Sequence, residues 1–269
     1  MKLKDWVREN RAVFVDRDLR FLVKDVFLDD NVLLLQQDKY LSLGKLQHLD
    51  RIKQLYIQGM PLAYILGKEI FFGLEFKVNS RVLIPRKETE LIVEKTIEII
   101  NKNNLYYILD LCCGCGNIAI SIKKSIKKKL FICGSDVSFE ALALSRRNSD
   151  IYKTSIELVN ADLLKAFKAR TFDLIVSNPP YVESKNIKSS LRYEPRLALE
   201  AGEKGLNLLR EILSEAHIYL RNSGYLILEM GYNHKSFLAQ IINEIGLYEI
   251  VEWIKDYSGH FRGVVLEKL

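Results

Sequence analysis

No run in this chain reaches the ~18 apolar residues that a membrane-spanning helix needs, and the sequence contains no internal repeat and no low-complexity tract. Cysteine is scarce and badly spaced for cross-linking. The four are Cys112, Cys113, Cys115 and Cys133, three of them crowded into four positions. That crowding argues against a disulfide framework, and CC and CxC are not the CxxC pairs of a zinc site. The four histidines are scattered. The thiols therefore read as reduced, small core or loop residues, and no metal is expected. A secretory leader is also missing: Met1-Lys2-Leu3-Lys4-Asp5-Trp6, with Arg8, Glu9 and Arg11 beyond, reads as a charged surface helix. The expectation is a chain that starts here and stays in the cytoplasm, with no membrane partner.

What is present is an ordinary globular composition. The 269 residues are 48% hydrophobic and 28% charged, enough apolar surface for a sizeable core and too much for disorder. At ~150 residues per domain, one large or two modest domains are expected. The net charge of +6 raises the prior for an anionic partner only mildly. Its distribution weakens that prior further. Residues 1–72 hold +2 and the rest +4. The densest cluster, Lys123, Lys124, Lys127, Lys128 and Lys129, falls between a helix and the next strand. In a parallel sheet that is the edge opposite the ligand crevice.

Residues 1–72 read as a helical domain. Leu43, Leu46, Leu49, Ile52 and Leu55 or Tyr56 recur at helical spacing, and Gly59 and Pro61 end the run. Shorter helices are predicted around Val7–Val15 and Leu19–Leu28. Ile70–Val78 turns aromatic and β-branched around Gly73 and reads as a hairpin linking two domains. From Tyr106 onward strands and helices alternate. The strands are expected at Tyr106–Leu111, Leu130–Asp136, Ile156–Asn160, Phe172–Ser177, Tyr225–Glu229, Tyr248–Ile254 and Gly263–Glu267. Helices such as Ala141–Arg147 and Leu206–Arg221 lie between most of them. Such alternation predicts an α/β, Rossmann-like, seven-stranded and mostly parallel sheet over residues 73–269. The last two strands are joined too closely for a crossover helix, so they should be antiparallel.

Chemistry gathers at the strand ends. In Asp110-Leu111-Cys112-Cys113-Gly114-Cys115-Gly116 a buried strand ends in an acid, passes a small-residue loop and opens a helix. Only two glycines of a GxGxxG fingerprint are present, but such loops let backbone approach a ligand at the carboxyl ends of strands. Asp110 would repel a pyrophosphate and suit a cationic or hydroxyl-rich ligand. Asp136 ends the next strand 26 residues later, where a carboxylate can hold both hydroxyls of a ribose. The plainer reading there is a helix N-cap by Ser135, Asp136 or Ser138. Asp162 and Leu163, after the third strand, sit on the same rim and suit an adenine contact. The strongest feature is Asn178-Pro179-Pro180-Tyr181, directly after a hydrophobic strand. Proline holds Asn178 and Pro179 extended. An amide side chain, a carbonyl and an aromatic ring then form a stiff platform suited to a planar –NH₂ group.

Together, Asp110 and its loop, Asp136 and Asn178-Pro179-Pro180-Tyr181 resemble class I S-adenosylmethionine-dependent methyltransferases that act on planar amino or amide nitrogens. Pro61–Gly67, Phe72–Leu74, Ile84–Glu90, Tyr193–Leu199 and Lys255–Gly259 narrow the resemblance to the HemK/PrmC family. That family methylates the glutamine side-chain amide of the Gly-Gly-Gln motif in peptide chain release factors. The resemblance covers nearly the whole chain. It implies S-adenosyl-L-methionine as cofactor and S-adenosyl-L-homocysteine as product, held by Asp110, the Cys112–Gly116 loop, Asp136, Asp162, Leu163 and Asn178. It implies catalysis by Asn178, Pro179, Pro180 and Tyr181, and a release factor as partner recognised in part by the N-terminal domain. Two positions depart from the family pattern: Cys112 stands where the loop usually has Gly, and Lys87 where the proline-rich stretch usually has Pro.

Other readings remain open from sequence. A ribosomal-protein glutamine would suit the same platform. So would an exocyclic adenine amine of DNA or RNA, although no basic groove-reading surface or added recognition domain is visible. A binding module that lost activity is disfavoured by the intact Asp136 and Asn178-Pro179-Pro180-Tyr181. The expected enzyme is a monomer without direct nucleic-acid contact.

Overall fold

The computed structural model describes residues 1–27, 31–186, 191–202 and 204–269. The chain divides into two compact units, Met1–Gly67 and Lys68–Leu269.

The first unit is helical: α1 (Leu3–Asn10), α2 (Asp16–Phe27), α3 (Val32–Leu35), α4 (Leu43–Ile57) and α5 (Leu62–Leu66). The Ser42 hydroxyl caps α4 by accepting from the Lys45 amide at 3.3 Å. Past its end, Gly59 adopts a left-handed φ of 88°. Leu49 and Ile52 of α4 join Leu3, Trp6, Leu19 and Leu22 in this unit's own core. Leu43 is instead exposed, because it sits in the first turn of the helix beside the cap. α1 begins at Leu3, earlier than the apolar spacing around Val7 predicted, since Leu3 and Trp6 supply its buried face. Asn10 closes it by donating its side-chain amide to the Trp6 carbonyl at 2.8 Å.

The second unit opens with a hairpin, β1 (Lys68–Phe71) and β2 (Leu74–Lys77). Phe72 and Gly73 make its turn with φ of 50° and 73°, both left-handed, as a tight two-residue hairpin connection requires. The division expected between residues 72 and 73 passes through this turn. The strands pair across it, Phe71 with Leu74 and Lys68 with Lys77, so the hairpin stays whole and belongs to the second unit.

After it come α6 (Lys87–Lys102), β3 (Tyr107–Leu111), α7 (Asn117–Ser125), β4 (Phe131–Asp136), α8 (Phe139–Tyr152), β5 (Glu157–Asn160), β6 (Phe172–Ser177), α9 (Asn207–Tyr219), β7 (Leu220–Glu229), α10 (Lys235–Ile245), β8 (Tyr248–Lys255) and β9 (Phe261–Lys268). The seven-stranded sheet has the order β5-β4-β3-β6-β7-β9-β8. Strands β3 to β7 run parallel, and β9 is antiparallel to both β7 and β8. The predicted strands are all present. β7 starts five residues earlier than Tyr225, at Leu220, because Phe172 of β6 pairs with Leu220 before a register shift. Leu109, Ile175, Leu226, Leu228 and Val264 are fully buried in the sheet. Burial on this scale contributes ~1.5–3 kcal/mol per large aliphatic side chain. Among the described residues no helix is long and apolar enough to cross a membrane.

Chain order and sheet order together create the crevice. From β3 the chain moves outward through β4 to β5, then returns to the other side of β3 with β6 and β7. The reversal lies between β3 and β6, where α/β sheets of this kind bind ligands.

Candidate active site

Register brings the predicted residues to one rim. Leu111 of β3 pairs with Ser135 of β4 and with Ser177 of β6. The residues that follow those pairs, Cys112, Asp136 and Asn178, therefore leave the sheet side by side. Asp136 pairs in turn with Asn160 of β5, which adds Asp162 and Leu163 to the rim. A cavity of about 580 Å³ lies there, lined by Cys112, Cys113, Gly114, Cys115, Asp136, Asp162, Leu163, Asn178 and Pro180. Asp110, Gly116, Pro179 and Tyr181 are not among its lining residues.

The loop between β3 and α7 is built on left-handed backbone: φ is 61° at Cys112, 53° at Gly114 and 80° at Gly116. Cys112 thus occupies a conformation that glycine adopts freely and an L-residue does not. Gly116 is required for a second reason. A Cβ there would stand 2.4 Å from the Ser145 hydroxyl oxygen of α8. Gly116 is also the N-cap residue of α7 and has no side chain to cap with. Asp110 supplies that function from β3: its Oδ2 accepts from the Ala119 amide in the first turn of α7, at 3.0 Å. Asp110 is completely buried and its Oδ1 has no partner. Burial pushes its carboxyl up to about 8, assisted by the charge of Asp136. It braces the loop and does not face the cavity.

The thiols are free and inert. Burial pushes Cys112, Cys115 and Cys133 up to about 12 and raises the Cys113 thiol well above its ordinary value, so none is a ready thiolate nucleophile. Asn148 of α8 ties this loop to the hairpin. Its amide donates to the Cys115 carbonyl at 2.9 Å and to the Lys77 carbonyl at 3.1 Å, and its oxygen accepts from the Lys77 amide at 2.8 Å.

Asp136 accepts from the Gly114 amide through Oδ2 and from the Ser138 amide through Oδ1, both at 2.9 Å. Ser138, and not Asp136, caps α8, its hydroxyl accepting from Ala141. Each Asp136 oxygen keeps a second lone pair for a ligand hydroxyl. Burial raises its pKa while the backbone amides pull it down. Asp162 is exposed and ion-paired with Lys165.

On the β6 side, the Asn178 amide donates from Nδ2 to the Thr89 hydroxyl of α6 at 3.2 Å. Pro179 is buried. Tyr181 turns its hydroxyl to Glu229, donating to Oε1 at 2.9 Å, and its ring meets His234 edge-on. Burial drives the Tyr181 phenol well above its ordinary value and pushes Glu229 up to about 7.

Sequence reasoning assigned no role to Thr89, Arg86, Glu194 or Glu229. Arg86, Thr89 and Leu197 line the cavity. Buried Glu194 accepts from the Ile84 amide at 3.1 Å and pairs with Arg86 at 2.5 Å, joining two stretches far apart in the chain. Glu229 carried a readable signal, an acid closing a hydrophobic strand just as Asp110 does. Lys87 is the first residue of α6, a position where proline is favoured. It departs from the family pattern harmlessly, pairing with Glu90 at 2.8 Å and taking no part in the cavity wall.

Known proteins resemble this chain over most of its length. The model of the "Methyltransferase small domain" family matches residues 88–257. Release factor glutamine methyltransferase of Thermodesulfovibrio yellowstonii is 34% identical over 281 aligned positions, covering 100% of this chain and 99% of that protein. The enzyme of the same name from Streptococcus pneumoniae is 35% identical, covering 94% and 90%. Among solved structures, the ribosomal protein L11 methylase of Lactobacillus delbrueckii subsp. bulgaricus superposes with a TM-score of 0.53 at 18% identity, over 71% of this chain and 83% of that one, and shares the fold. Full-length similarity and the rim of Asp136 and Asn178 lead to one conclusion: this chain belongs to the release factor glutamine methyltransferase family.

Proposed function

We propose that this protein transfers a methyl group to the side-chain amide nitrogen of the glutamine in the Gly-Gly-Gln motif of a peptide chain release factor. The observation that carries the reading is Asn178, at the cavity wall with its NH₂ end engaged by Thr89 and its oxygen left over.

The cavity suits S-adenosylmethionine. It is roomy, floored by backbone that approaches closely at Gly114 and bordered by the Asp136 carboxylate. Asp136 would hold the ribose hydroxyls, Asp162 and Leu163 the adenine, and the Cys112–Gly116 backbone the methionine part. Bound there, the cofactor supplies a methyl group on a sulfonium, already a good electrophile, and leaves as S-adenosyl-L-homocysteine.

An amide nitrogen is a poor nucleophile because its lone pair is delocalised into the carbonyl. The site's work is therefore alignment more than base strength. Asn178 Oδ1 and the Pro179 carbonyl accept the two amide protons, turn the nitrogen toward the donor and stabilise charge that develops on it. Tyr181, which does not line the cavity, is held by Glu229 and His234 at the end of this platform.

The N-terminal unit, Met1–Gly67, is proposed to contribute release-factor recognition, and the reaction is placed in the cytoplasm, in a monomer without direct nucleic-acid contact. The lysine cluster supports a protein substrate over nucleic acid. Lys123 and Lys124 lie in the last turn of α7, where they suit the helix dipole. The Lys123 ammonium donates to the Leu130 carbonyl, and that of Lys128 to the Ile100 carbonyl.

The test is incubation with labelled S-adenosylmethionine and, separately, release factor, ribosomal protein or DNA. Label on the Gly-Gly-Gln glutamine, lost when that residue is changed to alanine, is expected. Label on ribosomal protein or adenine alone would overturn the reading. Asn178→Ala should abolish transfer while leaving cofactor binding largely intact.

A further inference from the structure

Asn178 stands in a closed ring of contacts whose members lie far apart in the chain. The platform continues into Val182. Its amide donates to the Leu199 carbonyl at 2.8 Å, and its carbonyl accepts from the Ala201 amide at 3.0 Å. Those bonds fix the end of the stretch 195–199 beside the platform. One residue before that stretch, Glu194 is 5% exposed and has both carboxylate oxygens in use. Oε2 accepts from the Ile84 amide at 3.1 Å and Oε1 from the Arg86 guanidinium at 2.5 Å. Arg86 is the N-cap residue of α6, and its carbonyl accepts from the Thr89 amide at 3.2 Å. The Thr89 hydroxyl meets Asn178 Nδ2 at 3.2 Å and completes the ring.

Arg86, Thr89, Asn178, Pro195, Leu197 and Ala198 all line the cavity. None of Cys112, Asp136, Asp162 or Leu163 belongs to the ring, so this wall is separate from the residues proposed for the cofactor. Leu197 is 61% exposed although it lines the cavity. The wall therefore reaches the protein surface, where a side chain of another protein can enter. The backbone alone sets no distance between stretches that lie 108 and 110 positions apart. Glu194 sets it. Removing one partner of a buried ion pair is strongly unfavourable, so the two stretches are held in one arrangement.

We propose that Glu194, through Arg86 and the Ile84 amide, is a positioning residue for methyl transfer: it fixes the wall 195–198 against the start of α6 and so sets the entrance through which the glutamine side chain reaches Asn178. The inference rests on the reading that Asn178 receives the glutamine amide. Glu194 itself is buried and does not line the cavity, so it touches neither substrate nor cofactor.

Steady-state kinetics on the full chain with release factor, together with calorimetry of S-adenosylmethionine binding, test it. Glu194→Gln is nearly the same size and keeps one oxygen, but it gives up the charge that holds Arg86. It should lower kcat/KM for release factor by ~10- to 100-fold, the scale of a hydrogen bond to a charged group. Cofactor affinity should stay within ~3-fold of wild type. Arg86→Met should act in the same way, and Arg86→Lys, which restores a cation, should recover most of the loss. The double variant Glu194→Gln/Arg86→Met should be no slower than the slower single variant, because both changes break one link. The proposal is overturned if Glu194→Gln turns over normally, if Arg86→Lys is no better than Arg86→Met, or if the two losses multiply in the double variant. It is also overturned if cofactor binding falls in step with turnover, as in a chain that no longer folds, since Glu194 would then serve the unit as a whole. Asn178→Ala in the same assay separates the two levels. Near-normal turnover there would remove the underlying reading, whereas an inactive Asn178→Ala beside a normal Glu194→Gln would remove only this inference.

Discussion

Gly116 and Ser145 meet so closely that the loop and α8 leave no room for a single added carbon: a Cβ on Gly116 would stand 2.4 Å from the Ser145 hydroxyl oxygen. Ser145 is buried in α8, and even with its hydroxyl rotated away its Cβ would stand 3.3 Å from the added carbon. The left-handed φ of 80° at Gly116 adds backbone strain to any replacement.

Gly116→Ala should therefore cost about 2–3 kcal/mol of stability, from left-handed strain plus overpacking. It should also weaken S-adenosylmethionine binding, because the loop must shift to relieve the contact. Urea denaturation and calorimetry read the two effects. A variant with wild-type stability and affinity would contradict the packing described.

Cys112 offers the opposite experiment. It holds φ of 61° with a side chain attached. Cys112→Gly relieves ~1–2 kcal/mol of left-handed strain and gives back ~0.5–1 kcal/mol in unfolded-chain entropy. The urea midpoint should rise slightly and activity should survive, since the thiol is neutral and no step needs it.

Asp136→Asn keeps an oxygen for one backbone amide but gives up the charge and one acceptor. Cofactor affinity should fall by ~10- to 100-fold, the value of one to two hydrogen bonds to a charged group. Titration calorimetry checks it, and an unchanged Kd would remove Asp136 from the ribose.

Asp110 makes stability depend on pH in a direction opposite to an ordinary ion-paired carboxylate. Burial raises its folded pKa to about 8, well above the ordinary carboxylate range, so the folded state holds a proton the unfolded chain has released. Stability from this source is complete below about pH 4 and is lost as pH rises toward 8. Glu229, raised to about 7, adds a slope of the same sign. Between pH 5 and pH 8 the urea midpoint of the wild-type protein should fall, and Asp110→Asn should flatten that decline without abolishing it.

Most of the sheet was legible in the sequence because its signal is local: Phe172–Ser177 is largely apolar around Leu174-Ile175-Val176, and the strand matches the prediction at both ends. The rim residues Asp136 and Asn178 were legible for the same reason, each closing such a run. The roles of Asp110 and Tyr181 were not. Whether a strand-end acid faces a cavity or turns under the next helix depends on α7 starting at a glycine that cannot cap itself. Tyr181 is aimed by Glu229, 48 positions away. The Glu194 link to Ile84 and Arg86 spans 110 and 108 positions, and no periodicity or spacing rule reaches that far. The hairpin was found, but its turn was placed at a boundary because a φ of 50° at Phe72 has no signature in residue type.

Asn148 holds the Cys115 carbonyl with one hydrogen and the Lys77 backbone with its other polar atoms. A single amide thus couples the floor of the cavity to the outgoing strand of the hairpin. Whatever stiffens the loop also slows opening at residue 77, so the exchange rate of the Lys77 amide proton becomes a gauge of loop order, readable away from the chemistry.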